Sequence, residues 1–123
     1  MCETERDDTW RALIRFGDVG AERPGLIVGG TAYDLSSLTN DIGRDFLASG
    51  GAQAAIAAAE FGALPAVSLD GVRLGPPIRD PQAVICVGMN YAEHARESGA
   101  EPPTVPILFL KHPGCIVGPN DDV

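Results

Sequence analysis

The chain has 123 residues, with 17 acidic and 9 basic side chains, a formal net charge of −8, 45% hydrophobic residues, 15 Gly, 10 Pro and three Cys. That composition is too apolar for a disordered polyelectrolyte, and no apolar run approaches the ~20 residues of a bilayer-spanning helix. The acidic excess leaves few Lys and Arg to neutralise phosphates, so neither nucleic acid nor a membrane surface is expected as a partner.

The cysteines Cys2, Cys86 and Cys115 are odd in number and lack C-x-x-C spacing, which indicates neither a disulfide framework nor a zinc knuckle. Cys86 lies in an apolar run and reads as a small core residue. The first eight residues are acidic and polar, unlike the basic and then apolar start of a signal peptide, so a cytoplasmic location is expected.

From Thr9 to Phe16, the residues Trp10, Ala12, Ile14 and Phe16 alternate with Arg11, Leu13 and Arg15. This period of two predicts a half-buried strand. Glu22-Arg23-Pro24-Gly25 reads as a turn, Leu26-Ile27-Val28 as a second strand, Gly29-Gly30 as a turn, and Tyr33 to Leu38 as a third strand. The three would make a small antiparallel meander. A helix is predicted to begin near Thr39-Asn40, capped by a side-chain oxygen, and to be interrupted at Ser49-Gly50-Gly51, where a left-handed residue can end it. Ala52 to Phe61 is rich in alanine and predicts a second helix. Asp70-Gly71, between Pro65–Leu69 and Val72–Leu74, is a hairpin signal. The stiff Gly75-Pro76-Pro77 step then divides the chain into a first domain, 1–77, and a second region, 78–123.

Beyond it, Ala83 to Val87 is continuously apolar and suits a strand covered on both faces. Tyr91 to Ser98 predicts a helix with Asn90 as N-cap, Glu93 in the capping-box place and Gly99 as stop. A Pro-rich loop, 101–106, leads to a further apolar strand, Ile107 to Leu110. On the short helix, His94 and Glu97 are three apart and share a face. A carboxylate on one ring nitrogen fixes the imidazole tautomer and leaves the other nitrogen free to take a proton from water. The same spacing on an exposed helix also fits a merely solvated pair. What favours chemistry is the position, a loop directly after a buried strand.

The segments Gly88-Met89-Asn90-Tyr91-Ala92-Glu93-His94-Ala95-Arg96-Glu97, Pro106-Ile107-Leu108-Phe109-Leu110-Lys111 and Gly118-Pro119-Asn120-Asp121 resemble the G-x-N-Y-x-x-H-x-x-E, P-x-x-F-x-K and G-P-x-D segments of the fumarylacetoacetate hydrolase family. A softer likeness runs upstream, through Arg15-Phe16-Gly17, Glu22-Arg23-Pro24-Gly25, Asp34-Leu35-Ser36, Phe46-Leu47-Ala48 and Gly71 to Pro77. The resemblance implies an α+β fold: a small β-rich N-terminal domain with short helices, then the first strands and lid helix of a mixed β-roll catalytic domain.

It also implies a metal-dependent hydrolase that cleaves the C–C bond of an acylpyruvate-like 2-oxo acid, with Mg²⁺ or Mn²⁺ as cofactor and a homodimer as the assembly. His94 would activate water and Glu97 would hold it, while Asn90, Tyr91 and Lys111 would contact substrate. The helix and Pro-rich loop would form a lid, hinged at Gly88 and Gly99. Where many members carry a small hydroxyl residue after the lysine step, this chain has His112-Pro113-Gly114-Cys115, and His112 is read as structural or surface, not as a ligand. The family's Glu-x-Glu metal pair and later acid have no counterpart here, so no metal ligand is assigned and the 123 residues are expected to be a catalytic domain cut short. The alternatives are a non-catalytic module whose apolar strands 83–87 and 107–110 need a partner chain, or a relative of the family's lyases, isomerases or decarboxylases.

Overall fold

The computed structural model describes residues 10–99, 101 and 103–122. Cys2, Thr9, Pro102 and Val123, and the polar N-terminal stretch read above, lie outside these. The chain is a small mixed α/β protein with antiparallel sheets and three short helices among the described residues. It divides into two compact units, Met1–Asp80 with Ile116–Val123, and Pro81–Cys115. The sequence division after Pro77 keeps 116–123 with the second region, whereas these contacts group them with the first.

In the first unit, β1 (Arg11–Phe16), β2 (Arg23–Val28), β3 (Thr31–Asp34) and β4 (Ala66–Val67) form a four-stranded antiparallel sheet in chain order. The meander is as predicted, but β2 begins three residues early, inside the expected turn. The reason lies in its register: Gly25 stands opposite Ile14, and a Cβ there would come within 2.9 Å of both Ile14 and Phe16. Gly25 therefore serves the sheet by leaving room for its neighbours' side chains. The third strand ends at Asp34 rather than Leu38, because the backbone turns there: Asp34 Oδ1 accepts the Ser36 N–H at 2.7 Å, and Leu38 N–H bonds Leu35 O at 2.8 Å.

The helices are α1 (Arg44–Ala48) and α2 (Gly51–Glu60). The helix predicted to start near Thr39-Asn40 starts later, with Gly43 as N-cap and no side-chain cap. The Thr39 hydroxyl instead bonds the Asp41 backbone, closing a tight turn. The break at 49–51 is present, with Gly50 left-handed at φ 75°. Gly51 sits against the Phe46 ring and carbonyl, with no space for a Cβ, which lets the two helices meet. Leu26, Leu35, Ile42, Phe46, Ala55, Ala59 and Leu64 make the core between helices and sheet.

Asp70-Gly71 does form a turn, with Gly71 at φ 68° and Val72 N–H bonded to Leu69 O. It is not a hairpin, because its two flanks pair with different partners. β4 joins β3, while Leu74 bridges to Phe16 on β1.

In the second unit, β5 (Val84–Gly88) pairs antiparallel with β6 (Ile107–Lys111), Gly88 facing Ile107 and Val84 facing Lys111. Helix α3 (Ala92–Glu97) follows β5, and a 3-10 turn over Pro113–Cys115 follows β6. The expectation of a strand covered on both faces is not met. Ile85 and Val87 are exposed, as is all of β6, because a two-stranded ribbon has no second layer to bury an apolar run. Cys86 is half-buried and Cys115 exposed, both as free thiols.

Candidate active site

The chain leaves β5 at Gly88 and reverses at Met89, whose φ of 51° is left-handed and uncommon for a side chain of this kind. Gly88, where the sequence resemblance implies a hinge, is thus not the left-handed residue of this turn; Met89 is. Gly99, at φ 69°, does end α3, its N–H bonding Arg96 O at 3.1 Å. Asn90 is not the cap: Tyr91 holds the N-cap position in extended geometry, and no side chain caps the helix. Both residues are exposed, Tyr91 at 74%.

Helix α3 is anchored by Ala95, its buried residue, so His94 lies beside the anchored stripe and, with Glu97, faces outward. The three-residue spacing places both on one short helix. No hydrogen bond or ion pair joins them among the described residues. The polar contacts of this turn are instead those of Ser98, whose hydroxyl donates to His94 O at 2.7 Å and to Ala95 O at 3.2 Å. Lys111 is exposed at the far end of the ribbon from Gly88, four residue pairs away, or roughly 13 Å at strand spacing. His112 Nδ1 accepts the Gly114 N–H at 3.0 Å, a local turn contact.

Two charged clusters in the first unit escape sequence reasoning. The period of two points Arg15 outward, yet its side chain is 8% exposed. Its guanidinium grips Asp41 through Nε at 2.6 Å and Nη2 at 3.0 Å, and donates to Pro76 O at 3.2 Å. That face of the sheet is covered by the 39–42 turn and the 73–79 connector, where the alternation would leave solvent. Burial pushes the Asp41 carboxyl up, but the Arg15 hydrogen bonds, the Ile42 N–H and the Arg15 and Arg79 charges outweigh it and hold it below the usual range.

The second cluster centres on Arg73, which binds Asp121 in a fork at 2.7 and 2.5 Å and Glu22 at 2.9 Å. Burial pushes Glu22 up, yet its hydrogen bonds and the two arginines bring it below its ordinary value. Asp121 is lowered chiefly by the Arg73 hydrogen bonds. A cleft of about 560 Å³ adjoins this cluster, lined by Val19, Glu22, Arg73, Val117, Asn120 and Asp121 among others. Asp41 follows Arg15 by 26 residues and Asp121 follows Arg73 by 48, separations at which no local pattern signals a pair. The available hint is an arginine between Ile14 and Phe16, the two buried apolar residues at the end of β1.

Among the described residues no group of three His, Cys, Asp or Glu side chains converges as a metal site. These residues therefore do not by themselves fit the divalent ion that the sequence resemblance implies.

A β-meander covered by two short helices, followed by a strand–helix–strand unit that displays a histidine and a glutamate on its helix, is the class of structure the chain presents. No family model matches it. It is 37% identical over 112 residues to a protein of Burkholderia cenocepacia provisionally named a hydrolase, covering 90% of this chain and 39% of that protein. A similarly named protein of Burkholderia ambifaria is 38% identical over the same coverage. The 2,4-didehydro-3-deoxy-L-rhamnonate hydrolase of a Sphingomonas species is 36% identical over 112 residues, 90% of this chain and 37% of that enzyme. The chain thus spans about two fifths of the length of the curated relatives it matches.

Proposed function

We propose that the chain forms part of a hydrolase of the fumarylacetoacetate hydrolase type, which cleaves a C–C bond in an acylpyruvate or a diketo sugar acid. The observation that carries this reading is the helix α3 pair, His94 and Glu97, within a chain aligned over 90% of its length with proteins named hydrolases. The name of the Sphingomonas enzyme's substrate denotes carbonyls at C2 and C4, the pattern such a cleavage requires.

In this reading a neutral imidazole at His94 takes a proton from water as the water oxygen adds to the carbonyl distal to the 2-oxo acid. Glu97 reaches the second ring nitrogen when substrate closes the site and stabilises the imidazolium that forms. The bond between that carbonyl carbon and the neighbouring CH₂ breaks, and its electron pair passes into the enolate of the 2-oxo acid. Proton return to carbon gives a carboxylic acid and a 2-oxo acid. In the same reading Asn90 and Tyr91, both exposed beside α3, would contact the substrate, and Lys111, exposed at the other end of the β5–β6 ribbon, would meet its charged end. A divalent ion, Mg²⁺ or Mn²⁺, would have to be held by groups outside the described residues, so the chemistry assigned to this chain is proton transfer and positioning.

The test uses the natural protein that carries this chain, with Mg²⁺ and an acylpyruvate, following loss of the enol absorbance. Cleavage is expected, with His94→Ala slowing kcat by about 10²- to 10⁴-fold, the range of a general base. A His94→Ala protein that cleaves within twofold of the native rate would refute the assignment.

A further inference from the structure

The chain leaves the first unit after Asp80 and rejoins it at Ile116. What meets it there is built with unusual closeness. Arg73 lies in the short segment that edges β1, where its carbonyl accepts the Gly17 N–H at 2.8 Å and Gly75 N–H bonds Arg15 O at 2.8 Å. Its guanidinium uses Nε and Nη2 on the two oxygens of Asp121, and Nη1 on Glu22 at 2.9 Å and on Gly17 O at 3.2 Å. Every nitrogen of the fork is therefore engaged, and two of the three on residue 121. Asp121 is itself fixed: its Oδ2 also accepts the Gly118 N–H at 2.8 Å, and its own N–H bonds Gly118 O at 3.2 Å. Gly118 is buried and abuts the Leu74 carbonyl, leaving no space for a Cβ.

We propose that residues 116–122 are a strap of the first unit, locked by the Arg73–Asp121 fork and the Gly118–Leu74 approach, which makes 81–115 a lobe tethered at both its chain ends. The two parts of the lock are chemically independent, one a charged fork and the other a fit of backbone against backbone. A planar bidentate fork also fixes orientation, which a point charge would not.

Amide hydrogen exchange on the intact chain tests this, comparing Gly118 and Asp121 with Leu26 and Ile27 in the sheet. Arg73→Ala should speed exchange at 118 and 121 at least fivefold, while the sheet amides stay within twofold. Gly118→Ala leaves every charge in place and should produce the same local opening by pushing residue 118 off Leu74. A smaller rise at 118 and 121 in either variant overturns the proposal. So does an equal rise in strap and sheet, or loss of the sheet in both variants, since the strap would then be no separate element but part of the global fold.

Discussion

Asp41→Asn should destabilise the first unit by about 3 kcal/mol at neutral pH. Removing one charge of a buried pair costs roughly 3–5 kcal/mol, because the partner stays desolvated. Arg15 and Asp41 meet that description, with side chains 8% and 13% exposed. The lower end applies because Arg15 keeps another acceptor, Pro76 O at 3.2 Å, and a second charge partner, Glu22 at 3.6 Å. Asparagine also preserves an oxygen for the Ile42 N–H, which Asp41 Oδ1 accepts at 2.8 Å. In a domain of fewer than 100 residues, about 3 kcal/mol lowers Tm by roughly 12–24 °C.

The loss carries a pH signature. Burial favours the neutral Asp41 carboxyl, but the Arg15 and Ile42 hydrogen bonds win and its pKa in the folded chain is lowered. A depressed carboxyl stabilises the fold fully above its unfolded pKa, about 3.9, and loses that stabilisation as the pH falls through the folded value. The gap between the native chain and Asp41→Asn should thus be full at pH 6–7 and shrink below about pH 4. Urea titration across pH 3–7, followed by far-UV circular dichroism, measures both quantities. A neutral-pH difference under about 1 kcal/mol, or a gap that widens in acid, would refute the account of a buried, mutually dependent pair.

Gly25→Ala should cost about 1–3 kcal/mol, since its Cβ would lie 2.9 Å from Ile14 and Phe16 in the packed sheet; thermal melts read this directly, and an unchanged Tm would mean that the neighbours move aside. The Arg11–Glu60 pair is close, at 3.0 Å, but both side chains are about half exposed. Arg11→Ala should therefore change stability by less than about 1 kcal/mol, a contrast with Asp41 that the same urea titration would show.

The first strand and the alanine-rich helix were legible in the sequence, because each carries its own period: alternation through Ile14 and Phe16, and an unbroken run of helix formers from Ala52. Ser49-Gly50-Gly51 was legible as well, since a left-handed glycine is a local requirement. What misled was chemistry whose partner is remote. Glu22-Arg23-Pro24-Gly25 has the composition of a turn, yet Pro24 and Gly25 lie in a strand because Ile14 and Phe16 need the space across it. Asp70-Gly71 turns the chain as its composition says, but composition is silent on where the flanks pair. Asn90 has the right side chain for a cap and misses the position by one residue, because Met89 takes the left-handed turn. At the candidate site, spacing correctly put His94 and Glu97 on one helix. It could not supply a contact between them, since long side chains on an exposed turn have no packing to hold them.

The Arg73 fork has a consequence for the order in which the protein assembles as it is synthesised. All four strands of the first sheet lie between Arg11 and Val67, so their pairing is available well before residue 121 leaves the ribosome. Arg73 would emerge into a sheet whose Glu22 is already in place, and that 2.9 Å pair can form first. Asp121 arrives 48 residues later, at ordinary elongation rates of about 5–20 residues per second a delay of roughly 2–10 s. Until then Nε and Nη2, the two nitrogens that bind Asp121 in the folded chain, would lack that carboxylate.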